Sequence, residues 1–269
     1  MVIPDYDPTL STVDRGLGAY NIILAYRGSV AHGMYIPNTD PHSVDDIDLI
    51  GVVIPPIDHY FGLRHYANDG TKEIKQGKWD VVIYEARKAV RLLSKGNPNI
   101  LSLLWSDAEH YINVSREGQM LIDSRLLFLT NEISGSFYGY ARAQMHKMEH
   151  GAYNGFMGEK RKQLVDKFGY DCKNASHLIR LLRMGAEALE AGELNVNRAN
   201  IDAQELLAIK TGQYTLEQVK AMASDLFVRL ERARKVSVLP NKPDARMIDD
   251  LLTEMIAARM RYYAQVGVE

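Results

Sequence analysis

Cysteine is almost missing: Cys172 is the single one in 269 residues, so no disulfide can close within the chain. That usage is compatible with a reducing cytoplasm, which is the expected compartment. No uninterrupted apolar run reaches the roughly eighteen residues of a membrane span, so no transmembrane helix and no membrane partner are expected. The opening MVIPDYDPTL is acidic and carries proline, unlike a secretory signal. Strong charge of either sign is lacking too. A formal net charge of −2 leaves no global electrostatic footprint for nucleic acid, so any polynucleotide contact must come from a local patch. Internal repeats, low-complexity tracts and a Walker A pattern do not occur. The 46% hydrophobic and 25% charged content belongs to an ordinary globular chain, long enough for one large domain or two small ones.

Taken in order, residues 1–14 read as a loose arm or an ill-defined helix. Ile22 to Tyr26 reads as a first core strand and Asp46 to Ile54 as a second. Pro55-Pro56 stops the latter, because proline cannot donate to a ladder. Ile57 to Gly77 has little periodicity and reads as an irregular connection with a short helical turn, and Trp79 to Tyr84 as a third strand. From Glu85 the period turns helical, with Ala89, Leu92 and Leu93 in one stripe. Gly96 ends that helix, Asn97 caps the next and Pro98 suits its first position. Beyond Met120 the segments 116–124, 131–150, 159–168, 174–192, 203–210, 215–235 and 244–264 each show apolar recurrence at three or four. The layout is a small α/β front and a helical back, divided near residue 130.

The most informative stretch runs from Ala25 to Val53. Arg27-Gly28-Ser29 follows the first strand, and the second opens with Asp46-Ile47-Asp48. Side chains alternate along a strand, so Asp46 and Asp48 share one face and Ile47 turns to the core. Two acids side by side repel unless a cation lies between them. Hard oxygen donors suit Mg²⁺, which is commonly held by one or two carboxylates plus substrate phosphates. The Gly-Ser turn offers backbone N–H groups and a hydroxyl to an anion. Nucleotidyl transfer needs such a pairing of phosphate cradle and carboxylates.

Gly28-Ser29-Val30-Ala31-His32-Gly33 followed by Asp46-x-Asp48 resembles the signature of the DNA polymerase beta nucleotidyltransferase superfamily. Within it the chain is most similar to the RNA-repair-pathway polymerase beta group and its phage-borne and bacterial relatives. Trp79 to Glu85, Lys95 to Asn99 and Tyr170 to Leu182 extend the resemblance over roughly residues 20–185. The segment between Ser29 and Asp46 departs from it by an insert, Asn38 to His42. The resemblance implies an α+β fold: a mixed-sheet, palm-like catalytic domain over residues 1–130 and a helical domain over 131–269. It also implies that Asp46 and Asp48 hold two Mg²⁺ ions and that Asp80, a strand carboxylate beside the first two, binds the metal that activates the acceptor. Glu85 and Asp45 are weaker competitors for that third place. Gly28 and Ser29 would hold the β- and γ-phosphates of a nucleoside triphosphate.

A second constellation lies between Glu159 and Arg183, where Lys160, Arg161, Lys162, Lys167, Lys173, Arg180 and Arg183 outnumber the acids. Lys173, His177, Arg180 and Met184 follow helical spacing and share a face. Cations there could balance a triphosphate and its leaving pyrophosphate, or form a solvated basic face. Tyr153 and Tyr170 could stack on a base or simply pack. His32 could touch the nucleotide or serve the loop, whereas His42, His59, His65 and His110 suggest nothing specific. His146-Lys147-Met148-Glu149-His150 matches the H-x-x-E-H pattern of inverted zinc peptidases, a remote alternative because Gly151 follows at once.

The expected activity is metal-dependent transfer of a nucleotide from an NTP, such as ATP, to a hydroxyl acceptor with release of pyrophosphate. An RNA 3′ end is the acceptor that the nearest family suggests. A protein side chain, a small molecule, or a catalytically silent nucleotide-binding role on the same fold are the alternatives.

Overall fold

The computed structural model describes residues 3–37, 46–150 and 159–268. Five strands form one mixed sheet in the order β3-β4-β2-β1-β5. They are β1 (Asn21–Tyr26), β2 (Ile47–Val53), β3 (Thr71–Gln76), β4 (Trp79–Glu85) and β5 (Tyr111–Val114). β2 and β4 run parallel, and every other neighbouring pair is antiparallel. Three single-turn helices punctuate the front: α1 (Leu10–Val13), α2 (Gly28–Ala31) and α3 (Asp58–Phe61). Longer ones follow as α4 (Ala86–Ser94), α5 (Pro98–Leu104) and α6 (Arg116–Asp123). The remaining helices are α7 (Ile133–His150), α8 (Glu159–Phe168), α9 (Cys172–Ala191), α10 (Ala203–Lys210), α11 (Leu216–Val236) and α12 (Ala245–Val266). The fold is α+β, and no helix among the described residues is long and apolar enough to cross a membrane.

All six residues of β1 are buried, because the sheet is covered on both faces. Ile23, Ala25, Ile50 and Val52 join the core formed with the helices. Leu24, Tyr26, Leu49, Val81 and Ile83 join a second cluster, closed by Leu10, Leu17, Tyr20 and Trp79. The N-terminal arm is therefore not loose: Leu10 is fully buried, and the Tyr26 hydroxyl donates to the carbonyl of Pro4. Its apolar residues are too few to show a period, and the contact with the sheet organises them.

Two strands escaped the sequence pattern. β3 lies within the segment expected to be irregular, and β5 in a stretch where the sequence pattern marks no element. β3 is an edge strand whose Thr-Lys-Glu-Ile-Lys-Gln carries one apolar residue, and its lysines suit an unpaired edge. β5, at the opposite edge, is four half-buried or exposed residues. The helices match their expected spans to within a few residues, and their ends have identifiable chemistry. Asp171 caps α9 by accepting from the backbone N–H groups of Lys173 and Asn174, and Gly192 ends it in the left-handed region. Thr215 and Gln218 form a reciprocal capping box on α11, and Asp244 caps α12.

α9 is the central helix, packed against α7, α10 and α11. α12 returns to the front and ties itself to the start of β1. Arg259 Nη2 donates to the carbonyls of Ala19 (2.7 Å) and Asn21 (3.2 Å), while its Nη1 lies 3.5 Å from buried Glu117. The Tyr263 hydroxyl donates to the carbonyl of Ile54 at 2.5 Å. Truncating Arg259 takes the counter-cation from buried Glu117 and a donor from the carbonyls of Ala19 and Asn21. Arg259→Ala is expected to cost about 3 kcal/mol, read as a lowered urea midpoint at unchanged slope.

Candidate active site

β1 delivers the chain into Arg27, Gly28 and Ser29, and the first turn of α2 folds back over the end of the sheet. Gly28 has φ +61°, and a Cβ on it would collide with Asp48 Oδ2. Only glycine combines that conformation with that approach, so the turn and the carboxylate are built against each other. The Ser29 hydroxyl is buried and has no hydrogen-bond partner.

The parallel register of β2 and β4 sets Asp48 directly beside Asp80. Asp80 is in turn the antiparallel partner of Lys75, and the Arg27 N–H donates to the carbonyl of Asp48 at 2.9 Å. Cross-strand partners share a face, so a row of four charges, Lys75, Asp80, Asp48 and Arg27, crosses the sheet on its helical side. Arg27 Nη2 lies 3.6 Å from Asp48 Oδ1 and 3.5 Å from Asp80 Oδ1, one guanidinium serving two carboxylates. The Asp48 carboxyl is pushed above the usual range, chiefly by burial. Arg27 and Lys173 pull it back, and Asp80 and Asp46 add repulsion. Asp46 stands exposed just before β2, close enough for its charge to be felt at Asp48. Glu85 is at the far end of β4, where it accepts from Tyr60 and Arg87, so it does not share this place. Asp45 and the insert Asn38 to His42 lie outside the described residues.

Asp48 opens onto a cavity of about 340 Å³ between the sheet, α5, α7, α9 and the end of α10. Lys173, His177, Arg180 and Met184 all reach it from one face of α9, together with Gly28 and Ser29; Asp46 and Asp80 are not in its wall. Among the described residues that line it, five are Arg or Lys (Arg27, Lys147, Lys173, Arg180 and Lys210) and Asp48 is the one acid. Arg180 is buried, its Nε has no hydrogen-bond partner, and burial pushes its pKa down to about 9. A desolvated cation of this kind is stabilised by an incoming anion.

The basic stretch on α8 and α9 therefore divides. Arg183, one turn from Arg180, does not line the cavity and pairs with Asp202 and Glu205, each at 2.7 Å. Asp202 also belongs to a network around buried Arg198, which makes forked contacts with Glu187 and Asp202. The side chains of Lys160 and Arg161, and the whole of Tyr153, lie outside the described residues. Tyr170 packs, its hydroxyl donating to the carbonyl of Tyr214 at 2.6 Å. His32 is buried, and its Nδ1 is 2.8 Å from the carbonyl of Val196. Burial also holds its pKa well below the ordinary value, so it is neutral and serves the loop while lining the cavity.

Arg27, Lys147 and Lys210 were missed by the sequence reading. Arg27 sits beside the Gly-Ser turn, and cross-strand pairing alone aims it at the acids. Lys210 is at the end of α10, where its Nζ donates to the carbonyl of Met34 at 3.3 Å. No sequence period signals that contact. In the H-x-x-E-H stretch, Glu149 pairs with Lys220 at 2.9 Å, and the side chain of His150 lies outside the described residues. Among the described residues, no group of three or more His, Cys, Asp and Glu side chains converges to hold a metal ion. The donor set nonetheless fits a hard cation: two carboxylate oxygens already converge on one guanidinium nitrogen.

Two substitutions test this construction. Gly28→Ala forces the turn off Asp48 and is expected to lower stability by about 1–2 kcal/mol, read by urea unfolding. Arg180→Gln is expected to weaken binding of a triphosphate by roughly 10- to 100-fold while leaving the empty protein as stable or more so, because a buried cation is removed.

The description "RNA repair pathway DNA polymerase beta family" belongs to the family model that matches residues 9–254. A crystal structure at 1.90 Å of a nucleotidyltransferase-like protein from Exiguobacterium sibiricum is similar at 11% identity and a TM-score of 0.32, over 97% of this chain and 90% of that one. No curated protein matches the chain. A match across nearly the whole chain, enclosing the Gly-Ser turn, the paired acids and the α9 cations, identifies the chain as a member of the RNA repair pathway DNA polymerase beta family and as a nucleotidyltransferase.

Proposed function

We propose that the protein transfers a nucleoside monophosphate from an NTP to the hydroxyl of an RNA 3′ end and releases pyrophosphate. The observation that carries this reading is the cavity wall: five cations and an unpartnered serine hydroxyl facing a single acid, Asp48, at the end of a carboxylate pair. Such a wall suits a triphosphate whose α-phosphorus lies towards the acids. Gly28 and Ser29 hold the β- and γ-phosphates, and Lys173, His177 and Arg180 face them from α9. Met34, Leu103 and Met184 supply apolar surface for the rest of the nucleotide. Asp46, Asp48 and Asp80 hold divalent cations, which we assign as two Mg²⁺ ions; when bound they stabilise both the entering and the leaving oxygen of an in-line displacement.

Asp80 lies outside the cavity wall and its side chain is about a third exposed, at 36%, so an acceptor can approach from its side. The acceptor oxygen forms its bond to the α-phosphorus as the bridging bond to the β-phosphorus breaks. Pyrophosphate leaves with that electron pair. The hydroxyl proton passes to Asp80, which is open enough to hand it to water. Lys173 and Arg180 stabilise the charge that grows on the departing pyrophosphate.

The test is incubation with each α-³²P-labelled NTP and Mg²⁺, with and without total RNA. Label is expected on RNA, and Asp46→Asn combined with Asp48→Asn should abolish it, a drop of at least about a thousandfold, while the fold stays as stable or becomes more so. The sign follows from Asp48: its pKa is raised, so ionising it costs stability as pH climbs above the unfolded value, and the amide removes that cost. Label on protein instead would replace the acceptor, and full activity in the double variant would overturn the assignment of the acids.

A further inference from the structure

Arg27 occupies a position that its charge alone does not require. A surface arginine usually spreads its donors to solvent and one partner. Here a single terminal nitrogen is shared between Asp48 Oδ1 and Asp80 Oδ1, while the buried Nε has no hydrogen-bond partner. The guanidinium thus lies where the two strand carboxylates converge, with its Nε unused. The same side chain also forms part of the cavity wall next to Gly28 and Ser29. It stands at the junction of the acids and the phosphate turn, within reach of both.

Resting on the nucleotidyl-transfer reading, we propose that Arg27 is a built-in counter-cation, exchanged for the divalent cation when nucleotide enters. Before binding, it neutralises a carboxylate pair that the sheet register forces together. One guanidinium fork cannot serve two carboxylates and a polyphosphate at once. When a triphosphate enters, its oxygens give the planar fork a better-matched partner. The fork turns from the sheet to the phosphates, and both acids become available to a hard cation. Divalent cation and nucleotide then bind with positive coupling. Linkage requires each to raise the other's affinity by the same factor. Arg27 is in this scheme a positioning residue, which keeps the site from filling with cation alone.

The experiment measures Mn²⁺ binding by titration calorimetry, with metal alone and with a triphosphate analogue carrying a non-hydrolysable α,β-methylene group. It uses the full chain and the variants Arg27→Met, Arg27→Lys and Asp48→Asn. The unaltered protein is expected to bind Mn²⁺ alone weakly and at least tenfold more tightly once the analogue is present. Arg27→Met should bind Mn²⁺ alone at least tenfold more tightly than the unaltered protein, bind the analogue about tenfold more weakly, and show little coupling. Arg27→Lys, which keeps the charge without the fork, should fall between and guards against a methionine variant that fails to fold. Thermal unfolding adds a second readout: Mn²⁺ alone should raise the midpoint of Arg27→Met and barely move that of the unaltered chain. Mn²⁺ affinity that is unchanged or weaker in both Arg27 variants, yet still lost in Asp48→Asn, would overturn the exchange and leave the active-site reading standing. Mn²⁺ binding indifferent to Asp48→Asn would remove the carboxylate site itself, and this proposal with it.

Discussion

The rest of the site depends on two carboxylates that the backbone holds side by side. Parallel pairing of β2 with β4 places Asp48 opposite Asp80 as strictly as it places Ile50 opposite Val82. Neither acid can retreat without slipping a register that buries Leu49, Val52, Val81 and Ile83. The hydrophobic pattern of the sheet therefore maintains an electrostatic conflict at its end. Arg27 offsets that conflict from one flank and Lys75 stands at the other, while burial, more than the neighbouring acids, raises the pKa of Asp48.

Facing those acids is the opposite imbalance. The cavity gathers Lys147 from α7, Lys173 and Arg180 from α9 and Lys210 from α10, elements whose own packing has to hold like charges together. The helices are held by pairs placed behind the cavity. Arg198 grips Glu187 and Asp202, and Arg183 grips Asp202 and Glu205, so the back of α9 is neutralised while its front is left cationic. One helix thus carries two faces of basic residues with different tasks. Arg183 is paired with two carboxylates, whereas the Nε of buried Arg180 has no hydrogen-bond partner. Asp48 at the end of the sheet thus faces cations from three helices across the cavity.

The core is shared across the chain. The apolar cluster on the helical side of the sheet contains residues from Ile22 to Met255, and α12 returns to bind the start of β1 through Arg259 and Tyr263. The front sheet is thus supported by residues far along the sequence, and the site at its edge inherits that support.

Sequence alone determined the parts that depend on local order. Short apolar runs rich in β-forming residues marked β1, β2 and β4, and a three-to-four period marked the helices. Asp46 and Asp48 shared a face by alternation, and Lys173, His177, Arg180 and Met184 shared one by helical spacing; the last four do meet in one cavity. Glycine at position 28 could be tied to a turn before its contact with Asp48 was known. Tertiary structure decided whatever depends on where the chain travels between such elements. It separated Arg180 from Arg183, buried His32, brought Lys210 to the carbonyl of Met34, made an edge strand of residues 71–76, and set Arg27 between two acids. Periodicity encodes which face of an element is apolar, whereas the convergence of side chains from separate elements depends on register and packing angle, which no local pattern carries.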